Sequence, residues 1–126
     1  MVKIEDKDYT LSLSDDGILT SVYHATDFTL EMAERSIADK LSIIDCNKLY
    51  PTIADARSLK SFKRNVRQRF LRQDSLTGIK CCAAIVKTKV QAVMGNFFII
   101  TISKQAQIPT KLFTNYEDAY KWIGKF

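Results

Sequence analysis

Seven of the sixteen residues from Arg57 to Arg72 are Lys or Arg, and none is acidic: Arg57, Lys60, Lys63, Arg64, Arg67, Arg69 and Arg72. The chain carries 19 cations and 14 acids, a net of +5, and without these seven it has 12 cations against the same 14 acids. The basicity is therefore a local field on a slightly acidic background, of the kind that steers an acidic partner. Arg supplies a planar fork of donors for carboxylates and phosphates, and Lys a mobile point charge. Read as a helix, the segment places Leu59, Phe62, Val66 and Phe70 on one side at about 100° per residue. Lys60, Lys63, Arg64, Arg67 and Arg72 then fan across the other side. Arg69 falls near the apolar edge, where a long stem lets the charged head reach water. No acid lies within the segment to form the i, i+4 pairs that offset such repulsion, and Leu71 points outward among the cations. The face reads either as a solvated surface or as a docking surface for phosphates, an acidic protein or anionic headgroups.

Catalytic constellations are absent from the sequence. The single histidine, His24, follows a strand and reads as structural. No Cys-x-x-Cys pair or His cluster offers zinc ligands. Gly17, Gly78, Gly95 and Gly124 are scattered, so no loop cradles a phosphate. Asp55, at the end of a strand expected near the sheet centre, is the best-placed carboxylate, because sites in α/β sheets gather at strand C-termini; a turn-capping role explains it equally. No enzyme activity, cofactor or metal is expected.

The elements that position these residues follow from periodicity. Tyr9, Leu11 and Leu13 alternate with Thr10, Ser12 and Ser14, a half-buried strand. Asp15-Asp16-Gly17 turns the chain, and Ile18 to Tyr23 returns as the second strand of a hairpin. Thr29 caps a helix with Glu31 and Glu34 near its positive end, whose core stripe is Leu30, Ala33, Ile37, Leu41 and Ile44. Leu49 to Ala56 is a strand that tolerates Pro51 only near its start. After the basic segment, Ile79 to Val86 is apolar throughout, as in a strand covered on both faces. A helix from Thr88 or Lys89 to about Thr101 follows. Pro109 then leads into a strand at Lys111 to Thr114, and Asn115 caps a last helix that turns Ala119, Trp122 and Ile123 inward. The order is β-β-α-β-α-β-α-β-α: an α/β fold with a mixed sheet of about five strands and four helices, the strands bearing Ile53 and Ala84 at its centre.

At 126 residues and with no linker or repeat, residues 1–126 read as one domain. Three cysteines suit a reducing compartment, and all three read as small buried hydrophobes. With no apolar leader at Met1 to Asp8 and no run of some 20 apolar residues, the expected setting is the cytoplasm, without a transmembrane segment. The helix after Thr88 is apolar beyond one stripe. Met94, Phe97, Phe98 and Ile102 form either an internal core or a seam for a homodimer or small apolar ligand.

The order and the strings Tyr50-Pro51-Thr52-Ile53-Ala54-Asp55-Ala56-Arg57, Met94-Gly95-Asn96-Phe97-Phe98 and Pro109-Thr110-Lys111-Leu112-Phe113, with Glu117, Ala119 and Trp122, resemble the STAS-like fold of bacterial anti-sigma-factor antagonists. The nearer likeness is to small bacterial domains labelled STAS/SEC14 or SpoIIAA-like, over most of residues 18–126. The resemblance implies a non-enzymatic regulatory or ligand-sensing module. In phosphorylatable members a serine opens the helix after the central Asp-bearing strand. The matching stretch here is Phe62-Lys63-Arg64-Asn65, with Ser58 and Ser61 earlier, so a cation replaces the acceptor and the serine switch is not carried over. Nucleic-acid binding through the basic segment 57–72 is the alternative. It ranks below protein contacts because the segment lacks stacking aromatics and any groove-reading motif.

Overall fold

The structure, a computed structural model, describes residues 1–60, 63–88 and 107–126. Six strands form one sheet whose spatial order is the order along the chain: β1 (Val2–Glu5), β2 (Tyr9–Leu13), β3 (Leu19–Tyr23), β4 (Tyr50–Asp55), β5 (Ile79–Ile85) and β6 (Thr110–Phe113). The first three pair antiparallel, and β3 to β6 pair parallel. The described helices are α1 (Leu30–Ile43), α2 (Arg64–Phe70), α3 (Gln73–Leu76) and α4 (Tyr116–Ile123). None of these is long and apolar enough to cross a membrane.

The mixed α/β sheet is the expected architecture with one strand more than expected. β1 escapes sequence reading because only Ile4 of its four residues turns toward the core, while Val2, Lys3 and Glu5 are exposed. Its charges suit an edge strand, where they discourage pairing with another chain. β4, bearing Ile53, lies at the centre. β5, bearing Ala84, is internal but sits between β4 and the edge strand β6. Pro51 occupies a register shift between Tyr50 and Pro51 on β4, which absorbs its missing donor.

The two longest described helices start on side-chain caps. Thr29 Oγ1 accepts from the Met32 amide at 3.2 Å, and Asn115 Oδ1 accepts from the Asp118 amide at 2.8 Å, each satisfying an orphan donor of a first turn. On α1 the inward face is Ala33, Ser36, Ile37 and Lys40; Leu30, assigned to the stripe from sequence, is 40% exposed. It occupies the first turn, before the helix meets the sheet. Gly78 joins α3 to β5 at φ +84°, and a Cβ there would lie 2.5 Å from Ile44 Cδ1. Its carbonyl accepts from the Tyr50 amide at 2.7 Å, joining β4 to β5 at their starts.

The core has two parts, one on each face of the sheet. Tyr9 and Leu11 of β2 pack with Phe28, Ala33, Leu59 and Val66 beneath α1 and α2. Ile53, Cys81, Ala83 and Ile85 of β4 and β5 pack with Ala119 and Ile123 of α4. Cys81 is buried and Cys82 half-buried. Cys46 departs from the expectation of three buried cysteines: it lies exposed in the turn after α1, where no apolar neighbour covers it. The helix expected from Thr88 or Lys89 to about Thr101 lies, beyond Thr88, outside the described residues, as do Met94, Phe97, Phe98, Ile102 and Phe62.

The basic segment is not one helix. Arg57 to Lys60 form a turn, with the Leu59 amide donating to the Ala56 carbonyl at 3.1 Å. α2 starts at Arg64 without a side-chain cap from Lys63, and the chain breaks at Leu71 and Arg72 before α3. Leu71 is half-buried at this break rather than fully outward.

Arg69 explains the break. It does not reach outward but is 7% exposed, held by Glu34 of α1 and, through Nη1 and Nη2 at 2.8 Å each, by Asp74 of α3. Ser75 Oγ accepts from Arg69 Nη1 at 3.1 Å and donates to the Arg69 carbonyl at 2.8 Å, satisfying one of the last acceptors of α2. Lys40 of α1, also buried, donates to the Ser75 and Asp74 carbonyls. Burial pushes its ammonium pKa down to about 8.

Arg69 hydrogen bonding lowers the Asp74 pKa to about 2. A carboxyl with a depressed folded-state pKa contributes stability that is complete above its unfolded value, about 4, and is lost as pH falls through 2. Arg69→Met is therefore expected to lose about 2 kcal/mol at pH 7, less than the roughly 3–5 kcal/mol for removing one partner of a fully buried ion pair, because both carboxylates retain contact with water. Urea unfolding at neutral pH and near pH 2 should show the difference from wild type shrinking at the lower pH.

Candidate functional site

The parallel strands β3 to β6 all end on the same side of the sheet, so the residues just beyond them meet. An open cleft of about 800 Å3 lies there. Val22 and His24 come from the end of β3, with Thr26 just beyond. Asp55, Arg57, Ser58, Leu59 and Lys60 come from β4 and its turn, Lys87 follows β5, and Thr114 follows β6. Backbone hydrogen bonds fix these exits. The Ala56 amide donates to the Ile85 carbonyl at 2.8 Å, the Val86 amide to Phe113 at 2.9 Å, and the Lys60 amide to Thr26 at 3.0 Å.

At the base sits Asp55, 3% exposed. Its Oδ1 accepts from Arg57 Nε at 2.9 Å and from the Arg57 amide at 3.2 Å. Its Oδ2 accepts from Arg57 Nη2 at 2.7 Å and from the Tyr116 hydroxyl at 2.6 Å. Burial pushes the carboxyl pKa up, but the Arg57 guanidinium, the Tyr116 hydroxyl and the Arg57 amide outweigh it and hold the group below the ordinary carboxylate range. Burial, and then the Asp55 acceptor, raise the Tyr116 phenol. The Arg57 guanidinium lies over the Tyr116 ring at 5.3 Å, adding a cation–π contact. Asp55 is thus an ionised anchor with both oxygens engaged, which suits it to orienting Arg57 and not to moving a proton. Across the cleft, His24 Nε2 and Thr10 Oγ1 are 2.7 Å apart.

The five cations singled out in the sequence, Lys60, Lys63, Arg64, Arg67 and Arg72, are all exposed. Lys60 faces the cleft, Lys63 and Arg64 open α2, Arg67 lies one turn on, and Arg72 follows the break. Arg57, Lys87, His24, Thr26, Ser58 and Thr114 were not assigned to a site from sequence. The available signal was positional: several lie one or two residues beyond an expected strand, and parallel strands bring such positions together.

Tyr116→Phe removes one hydrogen bond to a buried charge and is expected to cost about 1.5–2 kcal/mol. Tyr120→Phe, on the exposed side of the same helix, should stay within about 0.5 kcal/mol of wild type. Urea denaturation of both variants at neutral pH checks the contrast.

No curated protein matches the sequence. In three dimensions the chain is similar to the crystal structure of an uncharacterized protein of the DUF3478 family with a SpoIIAA-like fold from Shewanella loihica PV-4. The two share a TM-score of 0.67 over 91% of each chain at 15% identity. That likeness establishes a SpoIIAA-like fold, in line with the resemblance of the sequence strings, and carries no activity across. The family model of a domain of unknown function, DUF7793, matches residues 11–126, from within β2 to the end of the chain. The chain therefore belongs to the DUF7793 family.

Proposed function

We propose that the protein is a single-domain, non-enzymatic binding module of SpoIIAA-like type that docks an acidic protein partner on the cationic band of Lys60, Lys63, Arg64, Arg67 and Arg72. One observation carries this reading: the basic segment is divided by role. Arg57 and Arg69 are engaged by Asp55, Glu34 and Asp74 and hold the fold together. Lys60, Lys63, Arg64 and Arg72 form no ion pair among the described residues and face solvent. A group of like charges left outside the internal network raises self-repulsion, which an acidic surface relieves. The three cysteines, none of them in a disulfide, suit action in the cytoplasm. The helix after the Asp-bearing strand opens on Lys63 and Arg64, so the module works without a phosphoserine at that position.

Lys63→Glu, Arg64→Glu and Arg67→Glu together test the proposal. All three side chains are exposed, so the urea midpoint should stay near that of wild type, while capture of acidic proteins from lysate and binding to polyglutamate should be lost. Wild-type binding to duplex DNA should be indifferent to sequence and fall steeply with salt. Sequence-selective DNA binding that survives physiological salt would promote the nucleic-acid reading. An unchanged partner profile in the triple variant would leave the band as a solvated face.

A further inference from the structure

The cleft at the strand ends shares Lys60 with the outer band and adds groups of its own. Among the described lining residues three cations, Arg57, Lys60 and Lys87, stand with one carboxylate, Asp55, a formal charge of +2. Both Asp55 oxygens are already occupied by Arg57 and Tyr116. The guanidinium that Asp55 holds uses Nε and Nη2 for that purpose, and Nη1 makes no hydrogen bond among the described residues. Its side chain is 48% exposed. An Arg seated on a carboxylate at one edge and over an aromatic ring at 5.3 Å is already ordered, so it loses little entropy when its remaining donors meet an anion.

We propose that this cleft binds a small soluble molecule bearing a phosphate monoester. A phosphate monoester carries roughly −1.5 to −2 charge at neutral pH and three acceptor oxygens, which match the surplus charge and the fork-plus-point-charge donors of Arg57, Lys60 and Lys87. Ser58 adds a hydroxyl at the same turn. The volume of about 800 Å3 exceeds what a bare anion fills and lies within the usual range for small-molecule sites. Val22 and Leu59 give an organic body an apolar wall. The position, outside the carboxyl ends of parallel strands, is where α/β sheets bind ligands. Among the described residues, none of the exposed large apolar side chains lines the cleft, which favours a soluble ligand over a lipid.

The experiment is calorimetric titration at physiological salt with phenyl phosphate, inorganic phosphate and phosphatidylcholine vesicles carrying phosphatidic acid. Saturable one-to-one binding of phenyl phosphate, tighter than inorganic phosphate and absent for vesicles, is expected. Lys87→Gln should weaken it roughly tenfold, the equivalent of one charge-assisted hydrogen bond, and Ser58→Ala by a smaller factor. Both residues are exposed, so these variants spare the Asp55 anchor that an Arg57 substitution would strip. The Lys63, Arg64 and Arg67 triple variant should bind phenyl phosphate within about twofold of wild type, because charges beyond the cleft are screened at this salt. The cleft and the acidic-partner surface thus fail independently. Absence of saturable binding at millimolar phenyl phosphate would overturn the proposal. So would binding indifferent to Lys87→Gln but lost in the triple variant, or binding confined to the vesicles; an adventitious ion response, equal for phosphate and phenyl phosphate and insensitive to both cleft substitutions, would overturn it too.

Discussion

A buried carboxylate at the end of the central strand has to be neutralised, and the arrangement of the surrounding chain answers that demand. Left alone, an ionised Asp55 at 3% exposure would cost several kcal/mol. Arg57 approaches it from two residues along the chain, and Tyr116 from sixty-one residues away. The first contact sets the direction in which the chain leaves β4. The second docks the first turn of α4 against the opposite face of the sheet from α1. Together they form the base of the cleft. A single desolvated charge thereby couples the centre of the sheet, the last helix and the one concave surface described at the strand ends.

Arg69 repeats the logic with the signs exchanged. A guanidinium drawn under α1 and α3 needs anions from outside its own helix, and Glu34 and Asp74 supply them across 35 and 5 residues of sequence. Lys40 adds a second buried cation bound to the carbonyls of the same junction. The short helices α2 and α3 bury few apolar side chains of their own, with Val66 the main one, so polar pairing does much of the work of fixing their angle. It also explains why the chain breaks at Leu71 instead of continuing: Asp74 and Ser75 must fold back onto Arg69.

Elements whose cause is local were legible in the sequence. The β2–β3 hairpin declared itself by alternation and a glycine turn, α1 and α4 by Thr29 and Asn115, and β5 by its apolar run. β1 was not legible, because four residues with two charges match no strand template until β2 is there to pair with them. The division of the basic segment was hidden for a similar reason. A helical pattern through Leu59, Val66 and Phe70 says nothing of carboxylates arriving from other elements, and those decided where the helix stopped. Of the cleft, Asp55 was visible beforehand as a strand-end carboxylate, and Lys60 as one cation of the basic segment. That Arg57, Lys87 and Thr114 join them follows only from the parallel pairing of β3 to β6.

The identity of spatial and sequence order in the sheet bears on how the chain acquires its structure. No strand waits for a distant partner, since each of the five pairings joins strands consecutive in the chain. Loop-closure entropy grows with the length enclosed, and folding slows as contacts become less local. A sheet laid down strand by strand from either end encloses only one connection at each step. The hairpins of β1 with β2 and of β2 with β3 are the shortest such closures, and β3 then offers a ready template edge. Of the side-chain hydrogen bonds among the described residues, the Tyr116–Asp55 clasp, which spans both β5 and β6, encloses the longest stretch of chain. By the same loop-closure argument it is expected to form late, once the strands it spans are in place.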